Sequence, residues 1–176
     1  MKQKHDAKKT YLPVMLDVSD KNILLIGGGA ACAEKLRSLG QLGKEITVIA
    51  PEFIDAFNNK PWIHFIKRKY RRGDLENCHI VYVGINDPDE EMKILEEAKE
   101  RGILINFVDQ VQYSDFISPS VLIKKFFSIF ISTNGRGPGA AKFIRKEIEE
   151  KLDLEELDKH TEEYIQNRNS AAAEKS

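Results

Sequence analysis

The stretch Lys21-Asn-Ile-Leu-Leu-Ile-Gly-Gly-Gly-Ala-Ala-Cys-Ala-Glu-Lys35 decides the fold. Its apolar run, Ile23 to Ile26, is short and unbroken, the pattern of a strand buried on both faces. Gly27, Gly28 and Gly29 follow, and the helix-compatible residues from Ala30 and Ala31 onward come directly after. This is the strand–turn–helix opening of a dinucleotide-binding unit. Gly27 permits the tight turn and Gly29 lets the backbone approach a pyrophosphate. The helix starting near Ala30 directs its free N–H groups and dipole at the phosphates. Cys32 stands where a third glycine would ease the packing of helix on strand, so the match is GxGxxC.

Working outward, the chain alternates strands and helices. Residues 1–10 read as a mobile tail, Tyr11 to Leu16 as extended, and Ser19 to Asn22 as a turn into the first strand. The helix runs from Ala30 to Leu42 with Leu36, Leu39 and Leu42 at core spacing, and Gly43 closes it. Ile46 to Ala50 is a second strand stopped by Pro51, and Phe53, Ile54 and Phe57 form a short helix. Trp62 to Ile66 and His79 to Val83 are the third and fourth strands. A helix runs from Pro88 to Arg101 with Gly102 as its stop, and Ile103 to Val108 is the fifth strand. The fold class is therefore α/β, a Rossmann-type doubly wound parallel sheet occupying residues 1–112.

Beyond Asp109 the pattern changes. Residues 113–137 are β-rich, with Phe116 to Ile123 and Phe126 to Ile131 separated only by Lys124-Lys125. Val121, Leu122, Ile123, Phe126, Phe127 and Phe130 supply more apolar surface than a hairpin can cover alone, which points to a partner surface. Residues 138–176 are helical. One helix spans Ala140 to Leu152 with Phe143, Ile144 and Ile148 on one side, and an acidic one reaches Arg168. The end, from Ser170, is frayed.

Composition narrows the function classes. With 176 residues, 41% hydrophobic and 31% charged, the chain can bury one ordinary core and carry an appendage. A net charge of −1 argues against a general nucleic-acid binder. No apolar run approaches the roughly 20 residues of a membrane span, and the charged start MKQKHDAKKT lacks the apolar core of a secretory signal. The expectation is a cytoplasmic protein. Two cysteines, Cys32 and Cys78, make no disulfide framework and no metal site. Cys32 at a helix start could be reactive, but a small packing residue in the third-glycine slot is the favoured reading. Nor do His5, His64, His79 and His160 share a ligand-like spacing.

The chemistry-bearing residues cluster at the carboxyl ends of the strands, where open α/β sheets build their crevice. Pro51-Glu52 follows the second strand, Asn86-Asp87 the fourth and Asp109 the fifth. Glu52 lies where a carboxylate accepts hydrogen bonds from the adenosine ribose, and no arginine adjoins it, which favours NAD over NADP. Asp109 is delivered to the crevice edge by a buried strand. A carboxylate partly desolvated there could accept a proton, while a loop aspartate capping the next turn is an equal alternative. Two basic sets stand apart: Lys67, Arg68, Lys69, Arg71 and Arg72, and then Lys124, Lys125, Arg136, Lys142, Arg145 and Lys146. Such runs usually mean a solvated face, but the second flanks a glycine-rich loop, Thr133 to Gly139, and could hold a polyanion.

Read in order, the motifs are more specific than any one of them. Tyr11-Leu12-Pro13-Val14, Ile26-Gly27-Gly28-Gly29, Val48-Ile49-Ala50-Pro51, Tyr70-Arg71-Arg72-Gly73-Asp74-Leu75, Asn106-Phe107-Val108-Asp109, Asp115 to Ser120 and Ile131 to Pro138 form one series. It closely resembles the precorrin-2 dehydrogenase family, including the amino-terminal part of sirohaem synthase, over about residues 11–150. The resemblance implies oxidation of precorrin-2 to sirohydrochlorin with NAD+ and places the catalytic aspartate at Asp109. NAD contacts would come from Gly27, Gly28, Gly29, Ala30, Ala31, Pro51, Glu52, Asn86 and Asp87. It also implies a homodimer formed through the region after the fifth strand. The eight carboxylates of precorrin-2 would be met by Ser120, Thr133, Asn134, Arg136 and Arg145. The sequence departs from that pattern at Gly84-Ile85 (Ala-Thr in the family), Ala31-Cys32 (Val-Ala) and Gln110-Val111, which lacks a proline. Two other readings stay open: a dehydrogenase that also inserts Fe2+ or Co2+, and a nucleotide- or tetrapyrrole-binding module without turnover.

Overall fold

In the computed structural model residues 9–173 are described, and the chain divides into two compact units, one up to Ile117 and one from Ser118. The first unit is a five-stranded parallel sheet. Its strands are β1 (Ile23–Ile26), β2 (Ile46–Ile49), β3 (Ile63–Ile66), β4 (Ile80–Val83) and β5 (Leu104–Phe107), in the order β3-β2-β1-β4-β5. Helix α1 (Ala30–Leu39) continues as a 3-10 turn to Leu42, and α2 (Pro88–Arg101) joins β4 to β5. The strand order reverses between β1 and β4, so the crevice of this doubly wound sheet opens at their carboxyl ends.

Alternation along the strands divides the core in two. Ile23 and Leu25 face α1 and pack with Cys32, Leu36 and Leu39. Leu24 and Ile26 face α2 and pack with Ile94, Leu95 and Ala98. No helix joins β3 to β4; Tyr70 and Leu75, both buried, fill that part of the second face instead. Glu97 of α2 anchors this loop, accepting hydrogen bonds from the Tyr70 hydroxyl, the Gly73 N–H and Arg101. Burial opposes its charge, but these donors outweigh that and hold its carboxyl below the usual range. Three residues of the first basic set are similarly absorbed: Arg68 pairs with Asp74, Lys69 with Asp87 and Glu90, and Arg72 with Glu100.

Some expectations are corrected. Leu42 is exposed rather than in the core, because the helix tightens to 3-10 geometry at Gly40 and rotates it outward. The short helix near Phe53 is one 3-10 turn, Asp55–Phe57. The mobile tail expected over residues 1–10 lies mostly outside the described residues, but Lys9 is tied down, its ammonium donating to the carbonyls of Val111 (2.9 Å) and Ser114.

The second unit is a two-stranded antiparallel sheet, β6 (Ser120–Ile123) with β7 (Ser128–Ile131), followed by α3 (Pro138–Lys151) and α4 (Leu154–Ala173). Helix α3 packs on the hairpin. The frayed end predicted from Ser170 is helical through Ala173, and residues 174–176 lie outside the described ones. Phe130 and Ile123 of the hairpin and Phe143 and Ile144 of α3 are exposed, so the apolar side expected of α3 is left largely open. Among the described residues, no helix is long and apolar enough to cross a membrane.

Candidate functional site

The glycine turn is shaped by backbone crowding. Gly27 has φ +127°, and a Cβ there would lie 2.2 Å from the Gly84 carbonyl oxygen. A Cβ on Gly28 would lie 1.9 Å from the carbonyl oxygen of Glu52, and the Gly28 carbonyl accepts from the Ile54 N–H at 3.0 Å. The loop after β2, with Pro51 and Glu52, is thereby seated on the turn. Gly29 differs: it has ordinary φ, caps α1 without a side-chain hydrogen bond, and a Cβ there would meet nothing within 4 Å. The open cradle lies at the first turn of α1, where Ala30 and Ala31 begin the helix and the N–H groups lack intrahelical acceptors. That is what a pyrophosphate needs, and the residues present fit a dinucleotide.

Cys32 is fully buried beneath this turn. Burial pushes its thiol up to about 12 against a weaker opposing pull from Lys35, and the negative charge of Asp109 adds the least. It is a packing residue, and the reactive reading falls. Cβ atoms placed on Gly84 would lie 2.5 Å from the Cys32 sulfur and 2.7 Å from Val108 Cγ2. The ends of β1, β4 and β5 therefore meet at Cys32, Gly84 and Val108, and Asp109 is the next residue along.

Asp109 is exposed, in a bend just past β5. The expected partial desolvation is corrected: Val108 fills the strand end and the chain turns outward beyond it. What the sequence did not reveal is how the loop returns. The free edge of β5 is covered by the side chains of Ser114 and Asp115 and by the Phe116 carbonyl. Ile105 N–H donates to the Asp115 carboxylate at 3.0 Å, Phe107 N–H to the Ser114 hydroxyl at 2.8 Å, and the Asn106 amide to the Phe116 carbonyl at 2.7 Å. Ser114 and Asn106 are both buried, and the Asn106 Oδ1 has no partner. A serine–aspartate pair shortly after a strand was the available signal.

Asn86 is exposed in the loop after β4. Asp87 caps α2, accepting from the Glu90 N–H at 3.2 Å, and this bond, together with Lys69, holds its carboxyl below the usual range. Its side chain already has structural work.

The remaining candidates belong to the second unit. Ser120 opens β6 in register with Ile131. The Thr133 hydroxyl donates to the Gly137 carbonyl at 3.0 Å and accepts from the Gly137 N–H at 3.2 Å, closing the turn into α3. Asn134, at φ +54°, and Arg136 are exposed on that turn. Arg145 pairs with Glu149 at 2.6 Å, Lys146 with Glu150, Lys124 with Glu155 and Lys125 with Glu162. Arg136 has no ion pair among the described residues, so the turn presents it uncompensated.

Comparison with known proteins agrees with this geometry. The family model described as "Putative NAD(P)-binding" matches residues 14–120, and that described as "Sirohaem biosynthesis protein central" matches residues 128–151. A siroheme synthase of Nitrosococcus oceani is 28% identical over 142 residues, 79% of this chain and 30% of its own length. One of Citrobacter koseri is 28% identical over 145 residues, 81% of this chain and 32% of its own. The chain thus spans about a third of the length of these relatives. Among solved structures, SirC, a precorrin-2 dehydrogenase, superposes with a TM-score of 0.73 at 25% identity, covering 89% of this chain and 76% of that one.

Proposed function

We propose for this chain, which belongs to the NAD(P)-binding family, the NAD+-dependent oxidation of precorrin-2 to sirohydrochlorin as a step of sirohaem biosynthesis. The observation that carries the reading is the open, uncapped cradle at Gly29 with Asp109 on the adjoining strand end. The likeness to a precorrin-2 dehydrogenase supports it over 89% of the chain.

The balance is simple: precorrin-2 and NAD+ give sirohydrochlorin, NADH and a proton. The dinucleotide, when bound, supplies the hydride acceptor. The chain holds its pyrophosphate against Gly29, Ala30 and Ala31, and the loops at Pro51-Glu52 and Asn86-Asp87 flank the rest. One substrate C–H bond gives up its hydride, and Asp109 takes the proton lost from a second position of the tetrapyrrole, whose electron pair forms the new double bond. Being exposed in the free chain, it sheds water only when substrate covers it. Ser120, Thr133, Asn134, Arg136 and Arg145 are assigned to the substrate carboxylates, with Arg136 foremost because it has no ion pair among the described residues. The exposed Ile123, Phe130, Phe143 and Ile144 are assigned to a homodimer contact.

An anaerobic assay with precorrin-2 and NAD+, following NADH and sirohydrochlorin together, tests the reading. Both should rise in step, and Asp109→Ala should lower turnover by about 10²- to 10⁴-fold while NAD+ still binds. Binding of NAD+ or tetrapyrrole without turnover would instead identify a binding module.

A further inference from the structure

We propose that Gln110 and Glu91 are positioning residues that aim the Asp109 carboxylate, an inference that rests on the assignment of Asp109 as the proton acceptor. Three observations converge on them. The first concerns the backbone. Asp109 sits in a bend, Gln110 has φ −122° and ψ +75°, and a 3-10 turn begins at Val111. Neither Gln110 nor Val111 is proline, so ring geometry fixes no φ on this side of the loop.

The second is an asymmetry in how the loop is held. Its far end is sewn to the β5 edge by Ser114, Asp115 and Asn106, and the Asp115 N–H adds a bond to the Ile105 carbonyl at 2.8 Å. Its outer side is held by Lys9 on the Val111 carbonyl. At the near end, the Gln110 carbonyl takes a 3.3 Å bond from the Ser114 hydroxyl, within the loop itself. On the β5 side of Asp109 the Val108 N–H is bonded to the Val83 carbonyl of β4 at 2.9 Å; on the other side the tie to another element is the Gln110 side chain, whose Nε2 donates to Glu91 Oε2 at 2.7 Å.

The third is Glu91 itself. It lies in the first turn of α2, is only 7% exposed, and has no ion pair among the described residues. A carboxylate so enclosed needs compensation. The α2 N-terminus supplies part of it and the Gln110 amide supplies a hydrogen bond. Helix α2 follows β4 directly, so Glu91 transmits the rigidity of that helix to the residue adjoining Asp109. A carboxylate displaced by about 1 Å from its line of attack can lose on the order of 10²-fold in rate. Dinucleotide binding, built on the glycine turn at β1, does not depend on this tie.

The test uses the full chain with precorrin-2 and NAD+, comparing Gln110→Ala, Glu91→Leu, Glu91→Gln and Asp109→Asn. Gln110→Ala and Glu91→Leu should lower kcat about 10- to 100-fold, with KM for NAD+ within about twofold and Tm within a few degrees of wild type. Glu91→Gln still offers a carbonyl oxygen to the Gln110 amide and should recover kcat to within about threefold. Wild-type kcat in Gln110→Ala, a loss that tracks unfolding, or Glu91→Gln as impaired as Glu91→Leu would each overturn the proposal. If Asp109→Asn is inactive while Gln110→Ala is unimpaired, the clamp alone fails. If Asp109→Asn turns over normally, or wild type does not turn over, the assignment of Asp109 fails and the clamp goes with it.

Discussion

Two glycine-rich turns lead into helices whose N-caps, Gly29 and Gly137, lack a side-chain hydrogen bond, and they are built on opposite principles. The turn after β1 is enclosed, and Cβ atoms on Gly27 and Gly28 would run into the backbone of Gly84 and Glu52. The turn before α3 is open. A Cβ on Gly137 would touch only Ala140 at 3.7 Å, one on Gly139 would meet nothing, and the Thr133 hydroxyl closes the loop on itself. The first turn is therefore shaped by its neighbours and the second by its own conformation, with Asn134 and Gly135 both at positive φ. An enclosed turn suits a rigid cofactor cradle. An open turn carrying Arg136, which has no ion pair among the described residues, suits a flexible, highly charged substrate.

The sharpest way to break this comparison is to add one methyl group to each. Gly28→Ala forces a Cβ to within 1.9 Å of a backbone oxygen that cannot move aside cheaply, and should cost about 3 kcal/mol or more in urea unfolding. Gly139→Ala, inside α3 with open space, should be neutral or stabilising by up to about 1 kcal/mol. Equal costs would mean that the first turn is not enclosed.

Gly29→Ala separates shape from ligand. Its backbone is ordinary and its Cβ would meet no protein atom, so stability should hold. If a pyrophosphate lies against that atom, NAD+ affinity should fall about 10- to 100-fold, readable by calorimetry. Unchanged affinity would move the dinucleotide away from Gly29.

The sheet was legible because four largely buried strands, the weaker edge strand β3 and the helix stops Gly43 and Gly102, both at positive φ, leave one way to alternate strand and helix. Volume exchange was not. Cys32 and Gly84 look like two separate departures from the resembling family's alanines, yet the Cys32 sulfur occupies the space that a Gly84 Cβ would need. Residues distant in sequence compensate each other, and no local pattern records that. The exposure of Asp109 was hidden because it depends on how a loop turns, whereas the pairing of Arg145 with Glu149 is an i,i+4 pattern on the expected helix and was open to a local reading.

That compensation predicts coupling of about 1–2 kcal/mol between Cys32→Ala and Gly84→Ala, Gly84→Ala being better tolerated when Cys32 has been shortened. It has a pH counterpart. The folded chain keeps the Cys32 thiol protonated up to about 12, whereas the unfolded chain releases that proton near 8.5. The native state then binds more protons, so stability must fall as pH rises above about 9, by roughly 1 kcal/mol per pH unit. The slope should be shallower in Cys32→Ala, and identical slopes would mean that Cys32 is not enclosed.

The smallest effect should come from the open turn. Arg136 has no ion pair among the described residues, while Arg145 gives its guanidinium to Glu149 within α3. Exposed ion pairs contribute under about 1 kcal/mol, so losing Arg145 costs little stability, and the charge it lends a substrate is already partly neutralised. Arg136→Ala should raise KM for precorrin-2 about 3- to 10-fold and leave KM for NAD+ alone. Arg145→Ala should raise it less than about twofold, and Glu149→Gln, by freeing Arg145, should lower it slightly. Were Arg145→Ala the more damaging, the helix face rather than the turn would be the carboxylate contact. The open turn would then be a connector, and its likeness to the glycine turn of β1 would end at the missing side-chain cap.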